Sequence, residues 1–397
     1  MANENLGSAR SAKNDEFYTQ FQDIEKEMNA YLDFDADVFR GKTVLLPCDD
    51  PEWSNFTKYF AQNFELLGLK KLISTSYAPN SKPQGLTYQP TLFEFDDPAF
   101  DERRTVSNGK IISLTRDANN DNRINVDDLE WRYLEGDGDF RSDEVTLLRD
   151  EADIIVTNPP FSKFIEFIDW IVEAEKKFVI LGNMNAITYK EVFALIKGDK
   201  IWSGTKQFGG GMDMIIPNGL FEIEKAGVHR IDEDGEIIKN IMGVIWFTNI
   251  DHGRRHQPIP LMTMEDNIRF SKHKEVKDIG YQHYDSYDAI EVPFTDAIPI
   301  DYEGVMGVPI SFLGKYNPEQ FEILSLTQTW SDLPTKKYPS QVLVDPKGGR
   351  KTVGALNSST AIKVPERPHG VSHYEVDGEF FISTYKRILI RHRKGAV

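Results

Sequence analysis

Short apolar runs that end in polar turns alternate with amphipathic segments along the first half of this chain. The runs are "KTVLLPCDDP", "LKKLISTSY", "DIIVT" and "KFVILGN", and the amphipathic segments include "WSNFTKYFAQNFELLG", "FSKFIEFIDWIVEAEK" and "TYKEVFALIKG". Apolar runs of this length are typical of buried strands, and apolar residues at helical spacing are typical of helices packed on a sheet. The sequence therefore predicts an α/β fold with a doubly wound, mostly parallel sheet.

Other segments extend this prediction. Residues 14–33 have apolar positions at helical spacing after an Asn/Asp start, which predicts an N-terminal helix. The run "IMGVIWFTNI" predicts one long apolar strand, and the sequence after about residue 255 is punctuated by Pro and Gly and is predicted to be irregular. We therefore expect an N-terminal helical segment (1–40), an α/β domain (41–255) with an insertion at about 80–134, and a C-terminal region (256–397).

Composition and charge narrow the functional class. No apolar run is long enough to span a membrane, and the single cysteine excludes an internal disulfide, so we expect a cytoplasmic protein without a membrane partner. The net charge of −17 opposes nucleic-acid binding, but it is unevenly spread. Residues 92–151 carry 8 Lys and Arg against 17 Asp and Glu, whereas residues 336–397 carry 12 against 5. The basic C-terminal part could therefore bind a polyanion, although a solvated charged surface explains the charge equally well.

The tetrapeptide Asn158-Pro159-Pro160-Phe161 follows the predicted strand "DIIVT". In such sheets ligands bind beyond the carboxyl ends of the strands. Asn158 offers a side-chain carbonyl, Pro159 offers a backbone carbonyl, and the prolines hold both acceptors in place. With Phe161 as a stacking platform, these acceptors suit the exocyclic amino group of a flat heterocycle. The alternative is that the prolines merely end the strand and Phe161 caps the core.

Several further motifs resemble one enzyme family, the EcoRI-type adenine-specific DNA methyltransferases. "KNDEFYTQFQDIE" resembles their N-terminal cofactor motif, "GDGDFRS" their third motif and "ADIIVTNPPFS" their fourth, and "TYKEVF", "DYEGVMGVPISFL" and "YNPEQFEIL" also resemble family sequence. This resemblance implies a Rossmann-like class I fold with a seven-stranded sheet, S-adenosylmethionine as cofactor and transfer to adenine N6 in double-stranded DNA. It implies a C-terminal target-recognition region, and catalytic roles for Asn158, Pro159, Pro160 and Phe161.

The resemblance also implies a set of cofactor-binding residues. They are Tyr18, Thr19, Pro47, Cys48, Asp49, Asp50, Asp139 and Phe140. Asp139 is expected at the amino group of the cofactor's adenine and Phe140 against its face. Two departures from the family pattern stand out: no glycine occurs between Leu46 and Trp53, and "ISTSY" lacks the acidic residue that often binds ribose, a role that Asp50 or Glu52 could fill.

A second motif, "DANNDNRINVDD", has the spacing of a calcium loop. Its predicted ligands are Asp117, Asn119, Asp121 and Asp128, with the Arg123 carbonyl and Asn125 at the remaining positions. The preceding "KIISLTR" predicts a strand, and "VDDLEWRYL" is a candidate exit helix. Against calcium, position 6 is Asn122 instead of Gly and position 12 is an Asp, so a structural ion and an ordinary acidic turn stay open.

Glycines 209–211 predict a loop that could order over DNA or could simply connect two elements. Candidate phosphate or base contacts are Lys206, Arg254, Arg255, Lys347, Arg350 and Lys351. The predicted function is site-specific adenine-N6 methylation of DNA, of the kind found in restriction–modification systems. The alternatives are a methyltransferase of a protein glutamine amide or RNA base, and a non-catalytic calcium-stabilised adaptor. The oligomeric state is not fixed by the sequence, and a monomer is one option.

Overall fold

The computed structural model describes residues 17–48, 54–78, 100–119, 121, 123–124, 128–216, 229–232, 235–393 and 395. The described chain forms two compact units. Unit 1 comprises Met1–Ala186 and Ile201–Gly253, and unit 2 comprises Ile187–Lys200 and Arg254–Val397. The N-terminal helix belongs to unit 1, and the short segment Ile187–Lys200 belongs to unit 2. None of the helices in the described ranges is both long and apolar enough to cross a membrane.

Helices of the described residues lie mainly in unit 1. They are α1 Phe21–Phe34, α2 Asn55–Gln62, α3 Phe64–Leu67, α4 Glu102–Ser107, α5 Asp143–Glu151, α6 Phe164–Glu173, α7 Lys190–Lys197, α8 Met264–Phe270 and α9 Lys274–Ile279. Side-chain caps begin several of them: the Ser54 hydroxyl accepts from Phe56 N, and the Ser142 hydroxyl accepts from Val145 N. Helix α5 was not predicted, because its apolar stripe is narrow, with Val145 as its one buried residue.

Strands of unit 1 form two sheets. They are β1 Tyr18–Thr19, β2 Thr43–Leu46, β3 Lys71–Thr75, β4 Lys110–Leu114, β5 Glu130–Tyr133, β6 Ile154–Thr157, β7 Lys177–Asn183, β8 Trp202–Ser203, β9 Met212–Ile216, β10 Arg230–Ile231, β11 Ile237–Ile241 and β12 Val244–Thr248. The larger sheet has the order β5-β4-β3-β2-β6-β7-β12-β8, and the smaller has the order β1-β9-β11-β10.

The larger sheet is mixed, which differs from the mostly parallel, seven-stranded sheet that was predicted. The central strands β3, β2, β6 and β7 are parallel, but β4, β5, β12 and β8 pair antiparallel. The antiparallel pairs lie at the two ends of the sheet, where β4 and β5 form a hairpin on one side and β12 pairs with β7 and β8 on the other. The chain therefore has an α/β fold built on an eight-stranded mixed sheet in its described residues.

Two elements of unit 1 have different bounds in the structure from those predicted. The helix predicted for residues 14–33 begins at Phe21, because Tyr18 and Thr19 pair with Ile215 and Met214 of β9. The long strand predicted for "IMGVIWFTNI" is interrupted by a turn between β11 and β12, where Gly243 has a φ of +77°. Both differences involve pairing with β9, since β1 pairs with it and Ile241, the last residue of β11, lies opposite its Met212; local sequence patterns do not report such pairing.

Unit 2 contains two further sheets, so the prediction of an irregular C-terminal region is wrong. Its strands are β13 Ile290–Glu291, β14 Met306–Pro309, β15 Phe321–Leu326, β16 Gln341–Val344, β17 Arg350–Val353, β18 Ala361–Val364, β19 His373–Val376, β20 Glu379–Ser383 and β21 Arg387–His392. The sheet orders are β13-β14-β21-β15 and β17-β16-β19-β20-β18. These strands are two to six residues long and lie between Pro- and Gly-containing turns, so they produce little periodicity.

Candidate active site

The carboxyl ends of the central parallel strands bring the predicted motifs to one edge of the sheet. Pro47 and Cys48 follow β2, Ser76 follows β3, and Asn158 follows β6. The Gly136–Phe140 loop reaches the same edge, because Ala78 N donates to Asp137 O at 2.7 Å. An added Cβ at Gly138, whose φ is +83°, would lie 2.1 Å from Ser76 O, so only glycine allows this approach. The third and fourth motifs therefore meet beyond the strand ends, where ligands bind in α/β sheets.

Asn158 has one half of its amide fixed and the other half unused. Its Nδ2 donates to the backbone carbonyl of Phe17 at 2.7 Å, which defines the orientation of the amide. Its Oδ1 is buried and has no hydrogen-bond partner among the described residues. Most buried polar atoms have partners, and an unpartnered acceptor costs about 1–3 kcal/mol. The amide therefore holds an acceptor ready for a donor that the protein does not supply.

The segment Phe17–Gln20 that holds Asn158 is itself held on three sides. Strand β1 pairs with β9, Asn55 Nδ2 donates to Thr19 O at 2.8 Å, and Gln20 Nε2 donates to Asp213 O at 3.1 Å. The hydroxyl oxygen of Thr19 is buried and has no hydrogen-bond partner in the described chain. The predicted cofactor motif and the predicted catalytic turn are therefore joined by a direct hydrogen bond.

The turn after Asn158 is compact. Pro159 is buried, Phe161 is half-buried and packs on the core of unit 1, and Lys163 N donates to Pro160 O at 2.9 Å. Lys163 Nζ also lies 3.6 Å from Asp139 Oδ2, which joins the fourth motif to the third. The ring of Phe161 and the acceptor of Asn158 thus belong to one short rigid segment.

Asp139 is strongly anionic. Arg141 donates to both of its carboxylate oxygens, from Nε at 2.9 Å and from Nη2 at 2.7 Å, and its backbone N–H adds a third bond. These bonds, with the charge of Lys163 in support, lower the pKa of Asp139 to about 2 against the opposing effect of partial burial. At neutral pH the carboxylate is ionised and can accept from an amino group of a ligand.

Comparison with known proteins fixes the family. The family model described as "Adenine-specific methyltransferase EcoRI" matches residues 5–393. The chain belongs to this family. It is 42% identical over 323 residues to the type II methyltransferase M.EcoRI of Escherichia coli, covering 81% of this chain and 89% of that protein.

Two further relatives of the chain come from mycoplasmas. The type II methyltransferase M.MpnI of Mycoplasma pneumoniae is 33% identical over 335 residues, covering 84% of this chain and 89% of that protein. M.MgeORF184P of Mycoplasma genitalium is 34% identical over 335 residues, covering 83% and 88%. No solved structure matches the chain. The resemblance stated from the motifs is therefore confirmed, and the chain is an adenine-specific DNA methyltransferase of this type II family.

The remaining cofactor residues predicted for this EcoRI-family member are placed as follows. Pro47 is buried and its carbonyl accepts from Thr75 Oγ1 at 3.1 Å, while Cys48 is half-buried. Asp49 and Asp50 lie outside the described residues. Phe140 is 5% exposed and packs edge-to-face against Phe167 and Trp170. This ring contributes to the core beneath α6, and its contact with the cofactor's adenine stays a prediction.

The predicted calcium loop joins β4 to β5 in this family member. Its candidate exit helix is wrong, because Glu130–Tyr133 form β5 and pair with β4. Asp128 is buried, and its Oδ1 accepts from Ala118 N at 2.8 Å and Asn119 N at 3.1 Å. In the part of the loop that the structure describes, which omits residues 120, 122 and 125–127, no three acidic, His or Cys side chains gather as a metal site. Calcium binding at Asp117, Asn119, Asp121 and Asp128 therefore stays a prediction.

Glu27 is a functional candidate that the sequence reasoning missed. It is 2% exposed on α1, and its carboxylate accepts from Tyr31 Oη at 2.9 Å, Thr205 N at 2.8 Å and Thr205 Oγ1 at 2.7 Å. Burial raises its pKa, and these hydrogen bonds oppose the rise. Glu27 thereby anchors the segment that leads to glycines 209–211, all three of which have positive φ. The sequence does carry a signal for a buried carboxylate here, because Glu27 lies on the same helix face as the apolar residues Ile24, Met28 and Tyr31.

Among the basic residues proposed to contact DNA, Arg255 is unsuited to that role. It is 8% exposed and its guanidinium pairs with Asp199, so it is part of the interior of unit 2. Arg350 is half-exposed and pairs with Glu375 at 2.5 Å, whereas Lys347 and Lys351 are exposed beside it. Lys206 is half-buried, and desolvation lowers its pKa. The exposed lysines of the β16–β17 hairpin are thus the better candidates.

Proposed function

We propose that this chain methylates the N6 amino group of a specific adenine in double-stranded DNA, within a type II restriction–modification or related system. The observation that carries the proposal is the buried, unpartnered Oδ1 of Asn158, fixed in orientation by the Phe17 carbonyl. An acceptor in this state suits an amino group, which brings two donors to the site. The fold that this proposal implies for unit 1 is a class I methyltransferase domain.

The residues at the sheet edge fit S-adenosylmethionine. Asp139 provides an ionised acceptor for the amino group of the cofactor's adenine, and the buried Thr19 hydroxyl provides an unused polar atom within the Phe17–Gln20 segment that holds Asn158. Tyr18, Pro47 and Cys48 lie at the same edge and would line the site. When bound, the cofactor supplies an electrophilic methyl group on sulfur, and the sulfur takes the electron pair of the carbon–sulfur bond.

Asn158 would act on the adenine amino nitrogen. Its Oδ1 and the Pro159 carbonyl accept the two N–H groups, which directs the nitrogen lone pair out of the ring plane toward the methyl carbon. As the nitrogen–carbon bond forms, positive charge develops on the nitrogen, and both acceptors stabilise it more than they stabilise the neutral amino group. No base is needed beforehand, because the methylated nitrogen is strongly acidic and then releases one proton to solvent.

The target adenine must leave the duplex to reach these acceptors, so base flipping is part of the proposal. Phe161, half-buried beside Asn158, would stack on the extruded ring. For sequence recognition we propose unit 2, whose residues 336–397 have an excess of 7 positive charges, with Lys347 and Lys351 exposed on its five-stranded sheet. A cytoplasmic location follows from a DNA substrate and a single cysteine.

The decisive experiment is expression of the chain in a host that lacks adenine methyltransferases, followed by sequencing of the host DNA for N6-methyladenine. We expect one short motif to be methylated at nearly every occurrence. Methylated protein or RNA without methylated DNA would overturn the proposal in favour of another planar-nitrogen methyltransferase. A structural calcium ion at residues 117–128 is a separate prediction with no part in methyl transfer, and calorimetry with calcium on wild type and Asp117→Ala tests it.

A further inference from the structure

Asn183 is the last residue of β7, and its side-chain amide is used in the opposite way to that of Asn158: the oxygen is bonded and the NH2 group is not. Its Oδ1 accepts from Asn185 N at 2.9 Å. Because a backbone N–H can only face an oxygen, this bond fixes the amide and leaves Nδ2 as the free half. Nδ2 is buried and has no acceptor among the described residues. A buried donor without an acceptor is rare and costs about 1–3 kcal/mol, which points to a ligand atom that the protein does not contain.

Strand register places Asn183 next to the catalytic turn. Strands β6 and β7 are parallel neighbours, and Thr157 lies opposite Ile180. Asn158 directly follows Thr157, and Asn183 lies three residues beyond Ile180, so both occupy the same edge of the sheet.

Strand alternation puts Asn183 on the face that Asn158 uses. Val179 and Leu181 belong to the core cluster that contains Phe17 and Val156. Gly182 faces the other way, since an added Cβ there would meet Phe164 of α6 at 2.3 Å. Asn183 therefore shares the face of Val179 and Leu181. This is the face on which Phe17 binds the Asn158 amide.

Sheet order separates Asn183 from the cofactor motifs. Pro47 follows β2, and the Asp139 loop packs against the end of β3, whereas Asn183 follows β7. Since the order is β3-β2-β6-β7, Asn158 at the end of β6 lies between the cofactor motifs and Asn183. A ligand atom within reach of Asn183 is therefore on the side of Asn158 away from the cofactor.

We propose that Asn183 determines base specificity by donating a hydrogen bond from Nδ2 to a ring nitrogen of the extruded adenine. This inference rests on the proposed function. Adenine presents an amino group flanked by two acceptors, N1 and N7. An acceptor at Asn158 and a donor at Asn183 match that amino group and one neighbouring ring nitrogen. Guanine and thymine carry a carbonyl in place of the amino group, so the Asn158 acceptor would reject both; where the contact is to N1, the N–H of guanine N1 or thymine N3 would also face the Asn183 donor.

The test uses duplexes in which the target adenine is replaced by 1-deazaadenine or 7-deazaadenine, each lacking one acceptor. Single-turnover rates at saturating duplex are compared for wild type, Asn183→Ala and Asn183→Asp. For wild type we expect one analogue to react about ten- to a hundred-fold more slowly than adenine, the factor that 1.4–2.8 kcal/mol represents. In Asn183→Ala this difference should shrink to about three-fold or less. Because deaza substitution alters the intrinsic reactivity of the amino group equally for all variants, the comparison isolates the contact.

Asn183→Asp is the matched variant, since it keeps the bond to Asn185 N and replaces the donor with an acceptor. It should lose the same discrimination. Equal wild-type rates on both analogues, or discrimination that survives in both variants, would overturn the inference while leaving adenine methylation intact. Loss of S-adenosylhomocysteine affinity in Asn183→Ala, with deaza discrimination retained, would assign the donor to the cofactor. Failure of wild type to methylate adenine in DNA would overturn the proposed function together with this inference.

Discussion

The side-chain amide of Asn158 is bonded to the backbone carbonyl of Phe17, 141 residues earlier in the chain, at 2.7 Å. This bond decides which half of the amide faces the site, because a carbonyl can bind only the NH2 half. An asparagine without such a partner could present either half, and only the oxygen can accept from an amino group. The segment before β1 therefore orients the Asn158 amide through a single main-chain atom, the Phe17 carbonyl oxygen.

Replacing Asn158 by Ala removes the acceptor and should lower the single-turnover rate by about 10²–10³-fold, the effect of losing one donor or acceptor that stabilises transition-state charge. Cofactor affinity should stay within about three-fold, since Asp139 and Thr19 remain. Rapid-quench kinetics measure the rate of methyl transfer, and calorimetry with S-adenosylhomocysteine measures cofactor affinity, so the two effects are determined separately. An Asn158→Ala enzyme with wild-type turnover would remove the basis of the mechanism.

The sequence predicted the α/β class, the strand before Asn158 and the family, because these depend on local periodicity and on contiguous motifs. It could not predict the partner of Asn158, since Phe17 is distant in sequence and contributes only its carbonyl. The missed hairpin β4–β5 and the missed sheets of unit 2 have the same origin. Glu130–Tyr133 was expected to be helical, yet pairing with β4 determines its conformation.

Loosening the Phe17–Gln20 segment should impair catalysis without touching the site. Asn55→Ala removes the bond to Thr19 O, and we expect turnover to fall about 2- to 13-fold, the range that one hydrogen bond of about 0.5–1.5 kcal/mol represents. Asn63→Ala is the matched control, because Asn63 Nδ2 also donates to a main-chain carbonyl, that of Tyr59, at 2.9 Å. Equal turnover in the two variants would show that the segment needs no clamp from Asn55.

Gly136 and Gly138 lie in one loop, and replacing each by Ala gives a controlled test of the close contact between Gly138 and the Ser76 carbonyl. Gly138→Ala combines a φ of +83° with a Cβ placed 2.1 Å from Ser76 O, so it should destabilise unit 1 by about 1–3 kcal/mol and weaken cofactor binding through Asp139. Gly136→Ala meets no atom within 4 Å and should be close to neutral. Thermal unfolding and calorimetry report the two effects, and similar behaviour of both variants would contradict this account of the loop.

Glu27 should make the stability of unit 1 depend on pH. Burial raises its folded pKa above 4.5, so the folded state binds more protons than the unfolded state between the two values. The contribution of Glu27 to stability is therefore largest below about pH 4.5 and falls as the pH rises through the folded pKa, by at most about 1.4 kcal/mol per pH unit. Glu27→Gln lacks this titration and can keep the bonds to Tyr31 and Thr205. Denaturant unfolding of both proteins from pH 4.5 to 8 should show wild type losing stability relative to the variant, and parallel curves would be inconsistent with a raised pKa.

Substitutions of Lys351 and Arg255 should affect different properties: the first the salt dependence of DNA binding, the second the stability of the protein. Lys351 is exposed on β17, and if it contacts one phosphate, Lys351→Gln should reduce the slope of log affinity against log salt by about 0.9 with no change in melting temperature. Arg255 is buried and paired with Asp199, so Arg255→Met should instead destabilise the protein by about 0.5–3 kcal/mol and leave the slope unchanged. Fluorescence anisotropy with a duplex containing the methylated motif, at several salt concentrations, measures the slope. A reduced slope for Arg255→Met with unchanged stability would place that arginine at the DNA, against its burial in unit 2.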